Sequence, residues 1–405
     1  MPSHASAPPT ESPLVVFDDG KGTFGPLTDL RASFELRAGL GTLLERIERA
    51  VGRRADTLLV PAHLASVVAE STGRPVNAIP GPGRCLAING RLLDAHAARI
   101  PAGEIHADRS GCIVGGWLAP AELARIDSLK PTRTVDARLA AAPWDLTASI
   151  PASLDADLTL FAPGIARALR PDEGHSFGTH PICIHPTATI GPMAVIDASK
   201  GPVILGPGVV VRPLAVLVGP CAVLDGSTVA ERSLLKASTV IGPHCRAGGE
   251  IGGTIFQGYS NKSHDGHLGD SFVGEWVNIG AGSDNSNLLN TYGEVIVRLE
   301  PDGGLLRTGR QFWGSVIGDH AKLAIGTRLM TGTTVGTGAM IALSRPPSSL
   351  VPRFAWLVDG GDGAKAFRFE KFMETARAMM SRRGQSPSGA LQAALRALHE
   401  RATAG

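Results

Sequence analysis

IGDHAK LAIGTR LMTGTT VGTGAM, residues 317–340, sets aliphatic side chains six apart at Ile317, Leu323, Leu329 and Val335, with Ile341 next in step. An amphipathic helix repeats every 3.6 residues and a half-buried strand every two, so a period of six fits neither. It fits a parallel β-helix, in which three short strands close one triangular coil. The aliphatic residue at each first position then points inward, and a glycine or other small residue follows at the corner. The same beat begins near Ile184 in IHPTAT, IGPMAV and IDASKG, and returns in LGPGVV and LDGSTV. Residues 181–345 are assigned to this β-helix.

Two segments interrupt the beat: GGTIFQGYSNKSHDGH before Leu268, and SNLLNTYGEVIVRLEPDGGLLRTGRQFWG between Gly282 and Ile317. Within the second, EVIVRLEPDGGLLRTG reads as a hairpin turned by Asp302-Gly303-Gly304. Loops on repeat scaffolds carry binding, and Tyr259–Tyr292 gathers two histidines, a lysine and five asparagines. N-acylation needs a histidine to take a proton from an amine near neutral pH. It also needs amide or backbone N–H donors for the oxyanion, and Arg or Lys for an anionic acceptor. The bland alternative is that the asparagines form corner ladders and the histidines are polar turn residues.

Ahead of the β-helix, LVVF (14–17) is a buried-strand run, DDGKGTFGPLTD a loop, and ELRAGLGTLLERIERAVG (35–52) a helix by its apolar spacing. TLLVP (57–61) and CLAING (85–90) read as strands, with the helix AHLASVVAEST between them. This alternation predicts an α/β domain with a largely parallel sheet over residues 13–130. Residues 131–180 form a helical linker containing PWDLTASIPASLDADLTLF. After the repeat, 346–405 is a helical segment: AKAFRFEKFMETARAMMSRR has an apolar face at Phe367, Phe372, Ala376 and Met379, and SGALQAALRALHERA follows.

Composition narrows the partners. The 405 residues carry a net charge of +2 with no basic tract, so no nucleic-acid partner is expected, and the pairs Arg53-Arg54 and Arg382-Arg383 read as solvated surface. The 50 glycines and 29 prolines favour turn-rich β structure, and five scattered cysteines read as free thiols in a reducing cytosol. Residues 1–12 lack a signal-peptide pattern and read as a disordered tail. No apolar run reaches the roughly 18 residues that span a bilayer. A cytoplasmic location without a membrane partner is expected.

The repeat region resembles the acetyltransferase domain of the bacterial bifunctional N-acetylglucosamine-1-phosphate uridyltransferase, GlmU, and is most similar to the GlmU-like sugar nucleotidyltransferases. The matching residues are His264-Asp265-Gly266-His267-Leu268-Gly269-Asp270, then Val277-Asn278-Ile279-Gly280-Ala281-Gly282, then Asn287 with Asn290-Thr291-Tyr292. The resemblance implies a left-handed β-helix that forms a homotrimer, with transfer sites between subunits. It implies His264 as general base, His267 in place of an active-site tyrosine, and Asn278 and Asn287 as the residues that bind the sugar and orient its amine. Tyr292 stands for the family's following tyrosine, Arg246 and Lys262 for the residues holding the acceptor's phosphate, and Gly280-Ala281 for the backbone that acetyl-CoA or another acyl-CoA approaches. A zinc site from His264, His267 and His320, as in γ-type carbonic anhydrases, lacks that class's spacing.

In the first domain, GKGTFGPLTDLRASFELRAG is loosely similar to the nucleotidyltransferase signature that cradles phosphates on backbone amides. Gly20, Gly22, Thr23 and Pro26-Leu27-Thr28 match it. Phe24 stands where the signature has arginine, and Asn89-Gly90-Arg91 where the family has a Mg²⁺-binding Gly-Asp. Arg31, Arg37 and Arg91 would replace the lost cations in part, and Mg²⁺ is expected only if this domain is active. Three readings follow: an acyl-CoA-dependent N-acyltransferase of an amino-sugar phosphate or nucleotide sugar, with a degenerate nucleotidyltransferase-like domain; a sugar-1-phosphate nucleotidyltransferase whose β-helix trimerises and regulates; and a non-catalytic trimeric scaffold.

Overall fold

The structure, a computed structural model, describes residues 12–79, 81–161, 169–170, 173–360 and 365–404. The tail expected at 1–12 lies outside these residues except for Ser12. The chain divides into two compact units, and the division is not a single cut. The first unit takes residues up to Gly22, Leu30–Leu36 and Gly41–Ala142; the second takes Thr23–Asp29, Arg37–Leu40 and everything from Pro143.

The first unit is built on a six-stranded sheet in the order β2-β1-β3-β5-β4-β6. Its strands are β1 (Leu14–Phe17), β2 (Thr57–Leu59), β3 (Cys85–Asn89), β4 (Ile105–Ala107), β5 (Ile113–Leu118) and β6 (Arg133–Thr134). β1 runs parallel to β2 and β3, as the strand–helix alternation predicts. The other half departs from a largely parallel sheet, because β5 pairs antiparallel with both β3 and β4. A tight turn at Asp108–Gly111, whose Asp108 carboxylate accepts from the Ser110 and Cys112 N–H groups, makes β4–β5 a hairpin. The helix expected from Glu35 starts only at Leu43. Thr42 and Glu45 close a reciprocal capping box there, which fixes the start of the helix at Thr42.

The second unit is a parallel β-helix of the left-handed, hexapeptide-repeat class. Its three walls are parallel sheets of six, nine and ten strands, the last closed by one antiparallel pairing. A regular coil takes 18 residues, or three hexads, so Leu205, Val223 and Ile241 stack in register. The first wall opens with His175–Gly178, ahead of the hexads legible from Ile184. Aliphatic residues at the inward positions form one continuous core from Ile184 through Val223, Ile279 and Leu323 to Val351. The second interruption folds out as the expected hairpin, Ile296–Val297 against Leu306–Arg307.

Two helices follow the coils, Phe369–Ser381 and Gly389–Thr403, the second capped by the Ser388 hydroxyl. The first buries Phe369, Phe372, Met373, Ala376 and Met380, while Met379 faces a cleft instead of the core. Phe354 of the last coil packs edge-on against Phe372 and His399, with ring centroids 5.0 and 4.9 Å away. Among the described residues, no helix is long and apolar enough to cross a membrane. All five cysteines are free thiols.

The second unit also binds its two early strips of chain. Thr337 Oγ1 donates to the Pro26 carbonyl and to Asp29, and Arg353 grips both Asp29 oxygens at 2.8 Å while its other nitrogens reach Glu300. The Arg37 backbone N–H donates to Gln257 Oε1, and that of Leu40 to Asp157. The Pro26-Leu27-Thr28 match to the phosphate-loop signature is therefore occupied by packing within the β-helix unit.

Candidate active site

The ten-stranded wall carries a column of outward residues in register. Arg246 pairs with Asn261, Asn261 with Asn278, and Asn278 with Lys322, one per coil. Neighbouring rungs lie roughly 4.8 Å apart. Two residues before each member stands a corner residue with left-handed backbone: His244, Tyr259, Trp276 and His320, all with φ between 54° and 59°. Their rings stack along the axis, with centroids 5.0 Å apart from His244 to Tyr259, 4.4 Å to Trp276 and 6.4 Å to His320.

Column, corners and helix Phe369–Ser381 together enclose a cleft of about 430 Å³. Arg246, His264, Asn278 and Lys322 line it, with Tyr259 and Trp276 at the corner side and Arg382 and Arg383 at the end of the helix. Three residues assigned from sequence thus meet: Arg246, His264 and Asn278, all exposed. Lys322 was not foreseen. Its Nζ donates to the carbonyls of Trp276 and His320 at 2.7 and 2.9 Å, and burial pushes its pKa down to about 7. Arg382 and Arg383, expected to be plain surface, belong to the cleft because the helix folds back onto this wall.

Lys262 does not reach the cleft, which corrects its expected contact with a phosphate. It occupies the inward position that Val229, Ala247, Ile279 and Leu323 fill in neighbouring coils. Its side chain is buried, and Nζ donates to four carbonyls, those of Gly248, His264, Asp265 and Gly266, at 2.8–3.2 Å. Desolvation lowers its pKa to about 8, against the pull of Asp284 and Asp265. Lys262 therefore positions the His264 loop from inside the coil.

His267 and Asn287 lie in a different cleft, of about 540 Å³, where His267 belongs to the six-stranded wall. His267 Nδ1 meets the Asn285 carbonyl at 3.1 Å, and Asn287 donates to Asp270 at 2.6 Å. Burial raises the Asp270 carboxyl, partly offset by that Asn287 bond. Tyr292 lines neither cleft and is 69% exposed. Gly280 serves packing: a Cβ there would lie 2.6 Å from the Ala324–Ile325 peptide, and its N–H already donates to Leu323. Ala281 holds the next coil by accepting from Gly326. His264, His267 and His320 do not converge, since His320 is inside the corner stack.

In the first unit, the signature loop turns its amides onto its own carboxylates. Gly20 N–H donates to Asp18, and Lys21 N–H to Asp19. Arg91 grips Asp19 through two nitrogens at 2.7 and 2.6 Å, both side chains being buried, and Asn89 adds a third donor at 2.9 Å. Burial alone would raise the Asp19 pKa, but the Arg91 bonds and charge bring it below the usual carboxylate value. These groups do not fit a Mg²⁺ site, because an ion would have to displace an arginine already paired with the acid. Of the other residues expected in the cradle, Gly22 is half-buried and Arg31 is buried, while Arg91 is already paired with Asp19.

Residues 14–165 match the family described as sugar nucleotidyl transferase. The chain is 34% identical over 125 residues to the bifunctional protein GlmU of Gloeobacter violaceus, covering 29% of this chain and 26% of that protein. It is 30% identical over 92 residues to a bifunctional sugar-1-phosphate nucleotidylyltransferase/acetyltransferase of Sulfurisphaera tokodaii, covering 23% of this chain and 22% of that one. The chain thus spans about a quarter of the length of these curated relatives. Among solved structures, an Arabidopsis UDP-N-acetylglucosamine acyltransferase matches at 14% identity over 58% of this chain and 93% of that one, with a TM-score of 0.22. The chain matches the sugar nucleotidyl transferase family over residues 14–165 and is, at modest identity, similar to GlmU-like bifunctional proteins.

Proposed function

We propose that this protein is a transferase of sugar-nucleotide metabolism whose β-helix moves an acyl group from acyl-CoA to the amine of a sugar phosphate or nucleotide sugar. One observation carries the reading: an exposed histidine, His264, shares a cleft with an asparagine, Asn278, and with several cations on the outer face of a hexapeptide-repeat wall. In this reading His264 takes the proton from the attacking amine as general base. Asn278, standing on the neighbouring coil, orients the amine or donates to the oxyanion. Arg246 holds the acceptor's anionic end. His267 and Asn287, in their separate cleft, would join a site of this kind only across a subunit boundary, which favours a homotrimer.

The nucleotidyltransferase-like unit is proposed as a degenerate binding domain. The pairing of Asp19 with Arg91, and the loop amides spent on Asp18 and Asp19, support that reading over active nucleotidyl transfer. The test is release of free CoA from acetyl-CoA with hexosamine phosphates and nucleotide hexosamines as acceptors. His264→Ala is expected to lower the rate by roughly 10²–10⁴-fold. Pyrophosphate release from a nucleoside triphosphate plus a sugar-1-phosphate, without CoA release, would overturn the proposal.

A further inference from the structure

Three guanidinium groups meet in the cleft with no carboxylate to offset them. Arg246 is exposed on its rung, and Arg382 and Arg383 directly follow helix Phe369–Ser381. Arg383 is held by neutral acceptors, its Nη2 donating to Asn261 Oδ1 at 2.7 Å and its Nε to the His244 carbonyl at 3.4 Å. Asn261 pairs in register with Arg246, so Arg383 is tied to the rung next to that of Arg246. Among the described residues, none of the three is in an ion pair with Asp or Glu. Burial, and next the charge of Arg246, lower the pKa of Arg383.

Three other sequestered arginines are paired with acids. Arg91 has Asp19, Arg74 has Glu48, and Arg353 has Asp29 and Glu300. Like charges gathered without counter-charge raise the local potential, and a bound anion relieves it. Beside them, the corner stack ends at His244, which is exposed and covered on one side by Tyr259. The adjoining corner residue, Gly226, sets its backbone against the other side, where a Cβ would lie 2.6 Å from His244 Nδ1. A fixed cluster of cations without counter-charge is suited to a diphosphate, which brings more than one anionic group.

We propose that Arg246, Arg382 and Arg383 clamp the diphosphate of a nucleoside diphosphate sugar, so that the acceptor is a nucleotide sugar and not a sugar monophosphate. The helix Phe369–Ser381 is then part of the binding site, because it delivers two of the three cations. This rests on reading the cleft as the acceptor site, but the binding itself does not depend on acyl transfer.

The experiment is calorimetric titration of the full-length protein with uridine diphosphate, and with inorganic phosphate as control. Uridine diphosphate is expected to bind at least tenfold tighter than phosphate. Arg382→Ala/Arg383→Ala should weaken it by tenfold or more, Asn261→Ala should weaken it by freeing Arg383, and Arg383→Lys should keep part of the affinity. Equal affinity for the two probes, or an affinity unchanged in the double variant, overturns the proposal. CoA release separates the two readings: binding without any CoA release with either acceptor class sinks the transferase assignment alone. Transfer to a sugar monophosphate that ignores the double variant sinks the clamp alone.

Discussion

Lys262→Met probes the lysine that stands in the aliphatic core of the coil. Folding lowers the pKa of this ammonium from 10.5 to about 8, chiefly by burial. Between those values the folded protein binds fewer protons than the unfolded chain, so this lysine makes stability rise with pH across that window. At pH 7 the difference costs on the order of 3 kcal/mol, offset by hydrogen bonds to the four carbonyls of the His264 loop. Methionine fills a similar volume with no charge to titrate, and Lys322 is present in both proteins and cancels. Urea unfolding of both proteins at pH 7, 8, 9 and 10 gives the difference directly. The stability of the wild type relative to the variant should grow by about 2–3 kcal/mol over that range. A difference that stays flat would place the ammonium in water and refute an inward lysine.

Arg91→Ala should destabilise the first unit by about 3–5 kcal/mol, because it strands the buried Asp19 carboxylate; thermal melting reads this, and Arg91→Ala with Asp19→Ala should cost less than the single change. Since the folded Asp19 pKa is depressed, its contribution is present above the ordinary value of 3.8 and is lost as pH falls through the folded value, a loss that Arg91→Ala should abolish in acid titrations. Gly338→Ala puts a Cβ 2.6 Å from the Phe354 ring and 3.0 Å from Phe372, at φ +72°. Strain and overpacking together predict a loss of about 2–4 kcal/mol, and limited proteolysis should find the helix Phe369–Ser381 loosened.

The coil was legible because its period is written in single residues: Leu205, Val223 and Ile241 are three hexads apart and share one interior. Lys262 takes the inward place beside Ala247 and Ile279, but the interruption shortens its coil to 15 residues after Ala247 and puts it out of the hexad phase. Its polar identity and its neighbour His264 instead suggested a contact with substrate. The corner column follows a rule visible in the chain, an aromatic residue or histidine two places before each outward residue, at His244, Tyr259, Trp276 and His320. Interrupted coils shift the spacing between these positions, so no fixed period announces them. Arg382 and Arg383 could not be assigned from local pattern, since only the return of the helix onto the coil brings them to Asn261. The helix start at Leu43 was written in Thr42 and Glu45, a capping box outweighed by the longer apolar pattern running from Glu35. The separation of His267 from His264 follows from the corner, which holds His264 after the strand Asn261–Lys262 and puts His267 at the start of the next wall.

The clasp of Arg353 on Asp29 also sets a clock. The partners are 324 residues apart in the chain, which at usual translation rates is a wait of roughly 15–65 s. Until the coils from Ser315 to Arg353 emerge, Asp29 and its strip have no coil to bind, and a nascent chain holding only the first unit exposes both strips. Closure starts with the coil at Ser315–Ile317 and is completed by Arg353, so ribosome-stalled chains ending before Ser315 should be cleaved by protease within residues 23–29, and full-length ones should be protected there.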